Sequence, residues 1–240
     1  MKPPGPEAAA RFVARHFPHC NIASLTGSTV RGEETPFSDL DILLIADDAP
    51  SAYAEAYRED GWMIEILMHN RDTCREFFQR DRLRGRPSLP HMFATGMILV
   101  DDGTASDMQR EARQLLDAGP PVWSRQDIMR ARFAITNHLL DLEGGLPSAD
   151  AVFAVHELAN ALHELVLRAN GCWTGRGRRI LRALERHDPA FAKRFGEAFL
   201  SFGANRDTAA VVRFADDVLA RFGGRLFEGY STRSEASGQR

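Results

Sequence analysis

The chain has 240 residues, of which 44% are hydrophobic and 26% are charged, a balance typical of a folded globular protein and not of a disordered or fibrous one. Its net charge of −3 gives no general positive field that would attract nucleic acid or anionic lipid. No apolar run approaches the roughly 20 residues that span a bilayer, and the Pro- and Gly-rich start lacks the apolar core of a secretory signal. Three widely spaced cysteines, an odd number, argue against a disulfide framework, so we expect a cytoplasmic protein.

Apolar spacing in the first 120 residues predicts both helices and strands. Residues 7–17 carry apolar side chains at helical intervals, and Pro18 ends that helix. Strands are expected at 21–25, 40–45, 53–58, 62–69 and 97–100, and further helices at 70–83 and 105–118. The Asp60-Gly61 pair suits the tight turn of a hairpin between the third and fourth strands. These residues are therefore expected to form a mixed sheet flanked by helices.

Gly119-Pro120-Pro121 is the expected domain boundary, because consecutive prolines end a helix and stiffen a connector. The composition changes after it. Beyond this point only helical patterns occur, at 124–143, 149–169, 178–187, 190–202 and 208–222. The sequence therefore predicts an α+β protein with a mixed α and β domain at 1–120, an all-α bundle at 121–228 and a flexible tail at 229–240.

Two aspartates open the strand predicted at 40–45. Side chains alternate along a strand, so Asp39 and Asp41 point to the same side, whereas Leu40 and Ile42 point to the other. Neighbouring carboxylates repel each other, and a site that aligns them usually binds a cation. Magnesium suits hard oxygen ligands and keeps positions open for water and phosphate oxygens. The alternative is that Asp39 lies in a simple turn and Asp41 on an exposed edge.

A Gly-Ser pair precedes the aspartates. Gly27 lets the backbone approach a phosphate closely, and Ser28 offers a hydroxyl and an N–H donor. A Gly-Ser turn after one strand, ten intervening residues and an Asp-Leu-Asp at the start of the next strand form a more specific pattern than either part alone. This combination favours phosphate and metal chemistry over the structural alternative.

The stretch TGSTVRGEETPFSDLDILLI resembles the signature of the DNA polymerase β-like nucleotidyltransferase superfamily. The resemblance implies that Gly27 and Ser28 bind the triphosphate and that Asp39 and Asp41 bind magnesium. It also implies a third carboxylate from a later, adjacent strand, for which Glu65 in WMIEILMH is the matching residue, although many relatives carry Asp there. The residues themselves support Glu65, because it is the only charge in an apolar strand and a buried carboxylate needs a metal, a cation or a proton. The alternative is a salt bridge to an arginine such as Arg31.

The resemblance implies a reaction in which two magnesium ions assist transfer of a nucleoside monophosphate to an acceptor hydroxyl, with release of pyrophosphate. The donor is ATP, which supplies AMP, or another nucleoside triphosphate. A catalytic domain followed by a helical bundle is similar to the aminoglycoside nucleotidyltransferases and the minimal nucleotidyltransferases. We therefore expect a small acceptor such as an aminoglycoside-like antibiotic, no nucleic acid template, no membrane, and a monomer or homodimer. Two alternatives remain: a protein acceptor, as for antitoxin-like nucleotidyltransferases, and a non-catalytic nucleotide-binding module.

The predicted helix at 149–169 carries one polar stripe, formed by Glu157, Asn160, Glu164 and Arg168. Glu157 and Glu164 are candidates for the general base that activates the acceptor hydroxyl. The alternative is an ordinary solvated helix face. The arginines that follow, from Arg176 to Arg186, suit a solvated helix face as well, or one or two of them could contact the triphosphate.

Overall fold

The structure is a computed structural model that describes residues 2–231. Contacts within the chain divide it into two units, Met1–Gly119 and Pro120–Arg240. The first unit combines a sheet with helices and the second is helical, so the α+β class expected from the sequence is confirmed. Residues 232–240 of the predicted tail lie outside the described part.

The first unit contains five strands and four helices among its described residues. In chain order these are α1 Gly5–His16, β1 Ile22–Thr26, β2 Leu40–Ile45, β3 Tyr53–Glu59, β4 Trp62–His69, α2 Arg71–Leu83, α3 Ser88–Thr95, β5 Met97–Asp101 and α4 Ala105–Ala118. Helix α3 is the one element of this unit that the sequence did not predict. It has eight residues and an internal proline, so it shows too little periodicity to be recognised.

The five strands form one mixed sheet in the order β3-β4-β2-β1-β5. Strands β2 and β4 are parallel, and the remaining neighbours are antiparallel. One face of the sheet packs against α1, where Leu40, Ile42 and Leu44 join Phe12 in a buried core. The register places Asp41 beside Thr26 on one neighbouring strand and beside Glu65 on the other.

Local sequence signals define several of the boundaries. The β3–β4 hairpin turns at Asp60 and Gly61, whose φ angles of 51° and 80° match a two-residue turn with both residues left-handed. Asn70 caps α2 and Ser124 caps the first helix of the second unit, each through a capping box in which side chain and backbone exchange hydrogen bonds. These short-range interactions explain why the turn and the starts of these two helices could be predicted.

The second unit contains five helices within its described residues and no strand there. They are α5 Arg125–Glu143, α6 Ser148–Ala169, α7 Arg179–His187, α8 Pro189–Asn205 and α9 Thr208–Ala220. Their apolar faces share one core that includes Leu139, Leu158, Leu165, Phe191 and Ala215. No helix in the described range 2–231 is both long and apolar enough to cross a membrane.

Candidate active site

The candidate site begins where β1 ends. Gly27 follows directly with φ of +88°, a left-handed conformation that glycine adopts without strain. The chain then turns tightly, because the Ser28 carbonyl accepts hydrogen bonds from the N–H groups of Arg31 and Glu33, at 3.1 and 3.0 Å. The end of β1 is therefore followed at once by a tight turn.

The Ser38 hydroxyl holds the two ends of this loop together. It accepts a hydrogen bond from the Ser28 hydroxyl at 3.1 Å and another from the Thr35 N–H at 2.8 Å. The Thr29 hydroxyl donates to the carbonyl of Asp39 at 3.4 Å. The glycine-serine turn is thus fixed to the residues that start β2.

Three carboxylates converge beside this turn. One side-chain oxygen from each of Asp39, Asp41 and Glu65 lies within 4.8 Å of the other two. Asp41 and Glu65 are register partners on the parallel strands β2 and β4, and Asp39 immediately precedes β2. Like charges so close repel each other, and oxygen-only ligands suit a hard divalent cation, so the group is compatible with a metal site.

The fit between Gly27 and Asp41 is close. A Cβ atom at position 27 would lie 2.4 Å from Oδ2 of Asp41, a separation that real Cβ atoms do not show. The absent side chain therefore leaves the space in which the Asp41 carboxylate sits. This close fit places the Asp41 carboxylate directly against the turn that the sequence predicts to bind phosphate.

Glu65 is in the predicted place, but the reason given from the sequence is wrong. A charge within an apolar strand suggested burial, whereas Glu65 is exposed, because β4 buries Ile64 and Ile66 and leaves the alternating side chains uncovered at this end. The alternative salt bridge to Arg31 is not the pairing observed, since the Arg31 guanidinium lies 3.1 Å from the carboxylate of Glu33.

Comparison with known families agrees with this geometry. Residues 10–77 match the family model described as the nucleotidyltransferase domain. The first unit contains a nucleotidyltransferase domain. Proteins with this domain transfer a nucleoside monophosphate from a nucleoside triphosphate, generally with a divalent metal, so the chain is an enzyme of the nucleotidyltransferase class. The matched segment includes Gly27, Ser28, Asp39, Asp41 and Glu65.

The chain is also similar to a solved structure, a nucleotidyltransferase-like protein from Exiguobacterium sibiricum 255-15. The two are 13% identical, the alignment covers 90% of this chain and 74% of that one, and the TM-score is 0.49. No curated protein matches the chain significantly in sequence. The assignment therefore rests on the domain match.

Outside the nucleotidyltransferase domain, the predicted stripe on α6 is not uniform. Glu157 is exposed and Glu164 is half-buried, whereas Arg168 is buried. Arg168 donates from Nη2 to the carbonyl of Pro121 at 3.1 Å, which fixes the start of the second unit. Burial lowers the pKa of this guanidinium below its usual value, against the opposing effect of the nearby Glu164 and Asp127 carboxylates. Arg168 is therefore a structural residue, and the solvated part of the stripe is shorter than expected.

Two residues of the nucleotidyltransferase domain were missed by the sequence reasoning. No sequence pattern singled out Ser38, although its hydroxyl organises the loop. The sequence predicts that Thr26 begins the loop after the strand at 21–25, yet it is the last residue of β1 and is buried beside Asp41. A hydroxyl residue between an apolar strand and Gly27 was the one signal available for Thr26.

Proposed function

We propose that the chain transfers AMP from ATP to a hydroxyl of a small acceptor, with Asp39, Asp41 and Glu65 binding two magnesium ions and Gly27 and Ser28 binding the triphosphate. The observation that carries this proposal is the convergence of the three carboxylates within 4.8 Å beside the glycine-serine turn. A divalent cation bound there would offset negative charge that develops around the α-phosphorus and on the leaving pyrophosphate.

The chain's own residues bind and orient the nucleotide in this proposal. Gly27 has no side chain to keep phosphate oxygens away from the backbone, and Ser28 presents a hydroxyl at the same turn. An oxygen–phosphorus bond forms from the acceptor hydroxyl to the α-phosphorus, while the bond to the oxygen that bridges the α- and β-phosphorus breaks. Pyrophosphate leaves, and the hydroxyl proton passes to a base.

For the acceptor we propose an aminoglycoside-like compound that binds to the helical domain at 121–228. Glu157 and Glu164 on α6 are the candidate bases, and both retain solvent access. Their carboxylates would also attract an amine-bearing acceptor, which is a positively charged compound. A protein acceptor, as in antitoxin-like enzymes, is the alternative in which a tyrosine or another hydroxyl side chain would receive the AMP.

The test is incubation of the full chain with magnesium, α-labelled ATP and a panel of aminoglycosides, lincosamides and candidate proteins. We expect labelled acceptor with the wild type, and a rate lowered by more than about 100-fold in Asp39→Asn, Asp41→Asn and Glu65→Gln, since losing groups that only orient a ligand already costs about 10- to 100-fold. Asp48→Asn, an exposed carboxylate beyond the other end of β2, is the matched control and should keep the wild-type rate. Equal labelling by wild type and Asp39→Asn would refute the site, and no labelling of any acceptor would favour a nucleotide-binding module.

A further inference from the structure

The last residue of β1, Thr26, carries a buried hydroxyl that has no hydrogen-bond partner in the described part of the chain. Its residue surface is only 3% exposed, and across residues 2–231 no group forms a hydrogen bond with its Oγ1 atom. A buried polar group without a partner is unfavourable, and native proteins usually retain one only where a water, an ion or a functional state satisfies it. The residues next to Thr26 indicate how its hydroxyl is satisfied.

Thr26 lies directly opposite Asp41 in the antiparallel β1–β2 ladder. Such cross-strand partners share one face of the sheet, and their Cβ atoms are about 4.5 to 5.5 Å apart. A side-chain rotation therefore suffices to bring a threonine hydroxyl within hydrogen-bond distance of an aspartate oxygen. Gly27, the next residue after Thr26, packs closely against the same Asp41 carboxylate.

We propose that Thr26 positions Asp41 for cation binding, by donating a hydrogen bond from Oγ1 to one Asp41 oxygen while the other oxygen binds the divalent metal. This inference rests on the proposed function, because it takes Asp41 as a metal ligand. Thr26 is a positioning residue and not a ligand, since its Oγ1 is screened from solvent and so from a cation that enters through solvent. A hydrogen bond to a ligating carboxylate fixes its orientation and strengthens metal binding.

The same strand offers a matched control. Ser24 lies two residues before Thr26, so it shares that face of the sheet, and its Oγ is likewise buried and without a partner within the described residues. Its opposite residue is Leu43, which has no oxygen acceptor in its side chain. Ser24 thus shares the burial and the hydroxyl of Thr26 but not the neighbouring carboxylate.

The experiment measures Mn²⁺ affinity of the full chain without nucleotide, by electron paramagnetic resonance. We expect Thr26→Val, which keeps the shape but removes the hydroxyl, to bind Mn²⁺ about 10- to 100-fold more weakly. Thr26→Ser keeps the hydroxyl and should stay close to the wild type, as should Ser24→Ala. If the valine variant does not fold, Thr26→Ala removes the same hydroxyl and carries the same expectation.

A second readout separates positioning from structure. Removing an unpaired buried hydroxyl should not lower the melting temperature of the cation-free protein, whereas the stabilisation that Mn²⁺ adds to the protein should shrink. Wild-type Mn²⁺ affinity in a folded Thr26→Val would overturn the inference, and so would an equal loss of affinity in Ser24→Ala. Asp41→Asn distinguishes the two proposals: if it binds Mn²⁺ normally, the proposed metal site itself fails, whereas loss in Asp41→Asn with no loss in Thr26→Val removes only the role of Thr26.

Discussion

At the scale of single residues, the contact between Gly27 and Asp41 makes the most specific demand on the sequence. A methyl group at position 27 would meet the Asp41 carboxylate at 2.4 Å, and the φ of +88° disfavours any side chain there. We predict that Gly27→Ala displaces Asp41 and lowers both Mn²⁺ affinity and transfer activity by more than about tenfold, as expected when a metal ligand is misplaced. Isothermal titration with Mn²⁺ and the labelled-ATP assay would measure this.

Gly32 provides the control for backbone strain in that experiment. Its φ is +68°, also left-handed, but no atom lies within 4 Å of a Cβ built there. Gly32→Ala therefore introduces backbone strain but no steric clash between the new Cβ and another residue. We expect its Mn²⁺ affinity to stay near that of the wild type. Equal losses in both variants would show that loop strain, and not the space for Asp41, is what Gly27 provides.

The residues of the candidate site differ in how far the sequence could reveal them. Gly27, Ser28, Asp39 and Asp41 lie within 15 residues of one another, so a short motif contains them. Glu65 required a second strand, and its solvent exposure depends on sheet order, which no local pattern encodes. Whether the Thr26 hydroxyl has a hydrogen-bond partner among residues 2–231 depends on all the groups packed around it, so only the three-dimensional structure could show this.

At the scale of elements, the contact between β4 and α2 should make stability depend on pH. His69 ends β4, is 3% exposed and packs edge-on against Phe77 of α2, with ring centroids 4.8 Å apart. Burial, assisted by the positive charge of Arg80, lowers the pKa of His69 to about 4 from the usual 6.5. The folded protein therefore keeps His69 neutral at pH values where the unfolded chain has protonated it.

The direction in which pH changes the unfolding free energy follows from proton binding by His69. Between pH 6.5 and about 4 the unfolded state binds the proton and the folded state does not, so the contribution of His69 is fully present above pH 6.5 and falls as the pH decreases. The loss reaches at most about 3 kcal/mol near pH 4. We predict that urea denaturation at about pH 5 and about pH 7.5 shows a smaller difference in unfolding free energy for His69→Leu than for the wild type. His19 is exposed, so the control variant His19→Asn should behave as the wild type. If His69→Leu and the wild type show the same difference in unfolding free energy between the two pH values, the prediction is wrong.

Elements with strong local signals were predicted from the sequence, and α3 was not. The Asp60-Gly61 turn and the start of α2 depend on interactions between neighbouring residues, so the sequence alone predicted them. Helix α3 buries Leu89 and Phe93, and Asp81 of α2 accepts the Leu89 N–H at 2.7 Å, so it is stabilised by tertiary contacts. Helices this short cannot be predicted from the spacing of apolar residues alone.

At the scale of the whole molecule, each unit has a hydrophobic core of its own. One core combines α1 with the sheet, and the other joins the apolar faces of the five helices. The residues proposed for metal and phosphate binding all lie in Met1–Gly119, whereas the candidate bases Glu157 and Glu164 lie in Pro120–Arg240. Binding of the cation and recognition of the acceptor are therefore assigned to different units by the proposal.

This division predicts that the two functions can be separated. A fragment of residues 1–119 keeps its core and the three carboxylates, so it should fold and bind Mn²⁺ with an affinity close to that of the full chain. It lacks the proposed acceptor site and the candidate bases, so it should not transfer AMP to the acceptor that the full chain modifies. Circular dichroism, Mn²⁺ titration and the labelled-ATP assay measure the three properties. Transfer at the full-chain rate would exclude an acceptor role for the helical unit, and a folded fragment that does not bind Mn²⁺ would mean that residues beyond 119 complete the metal site.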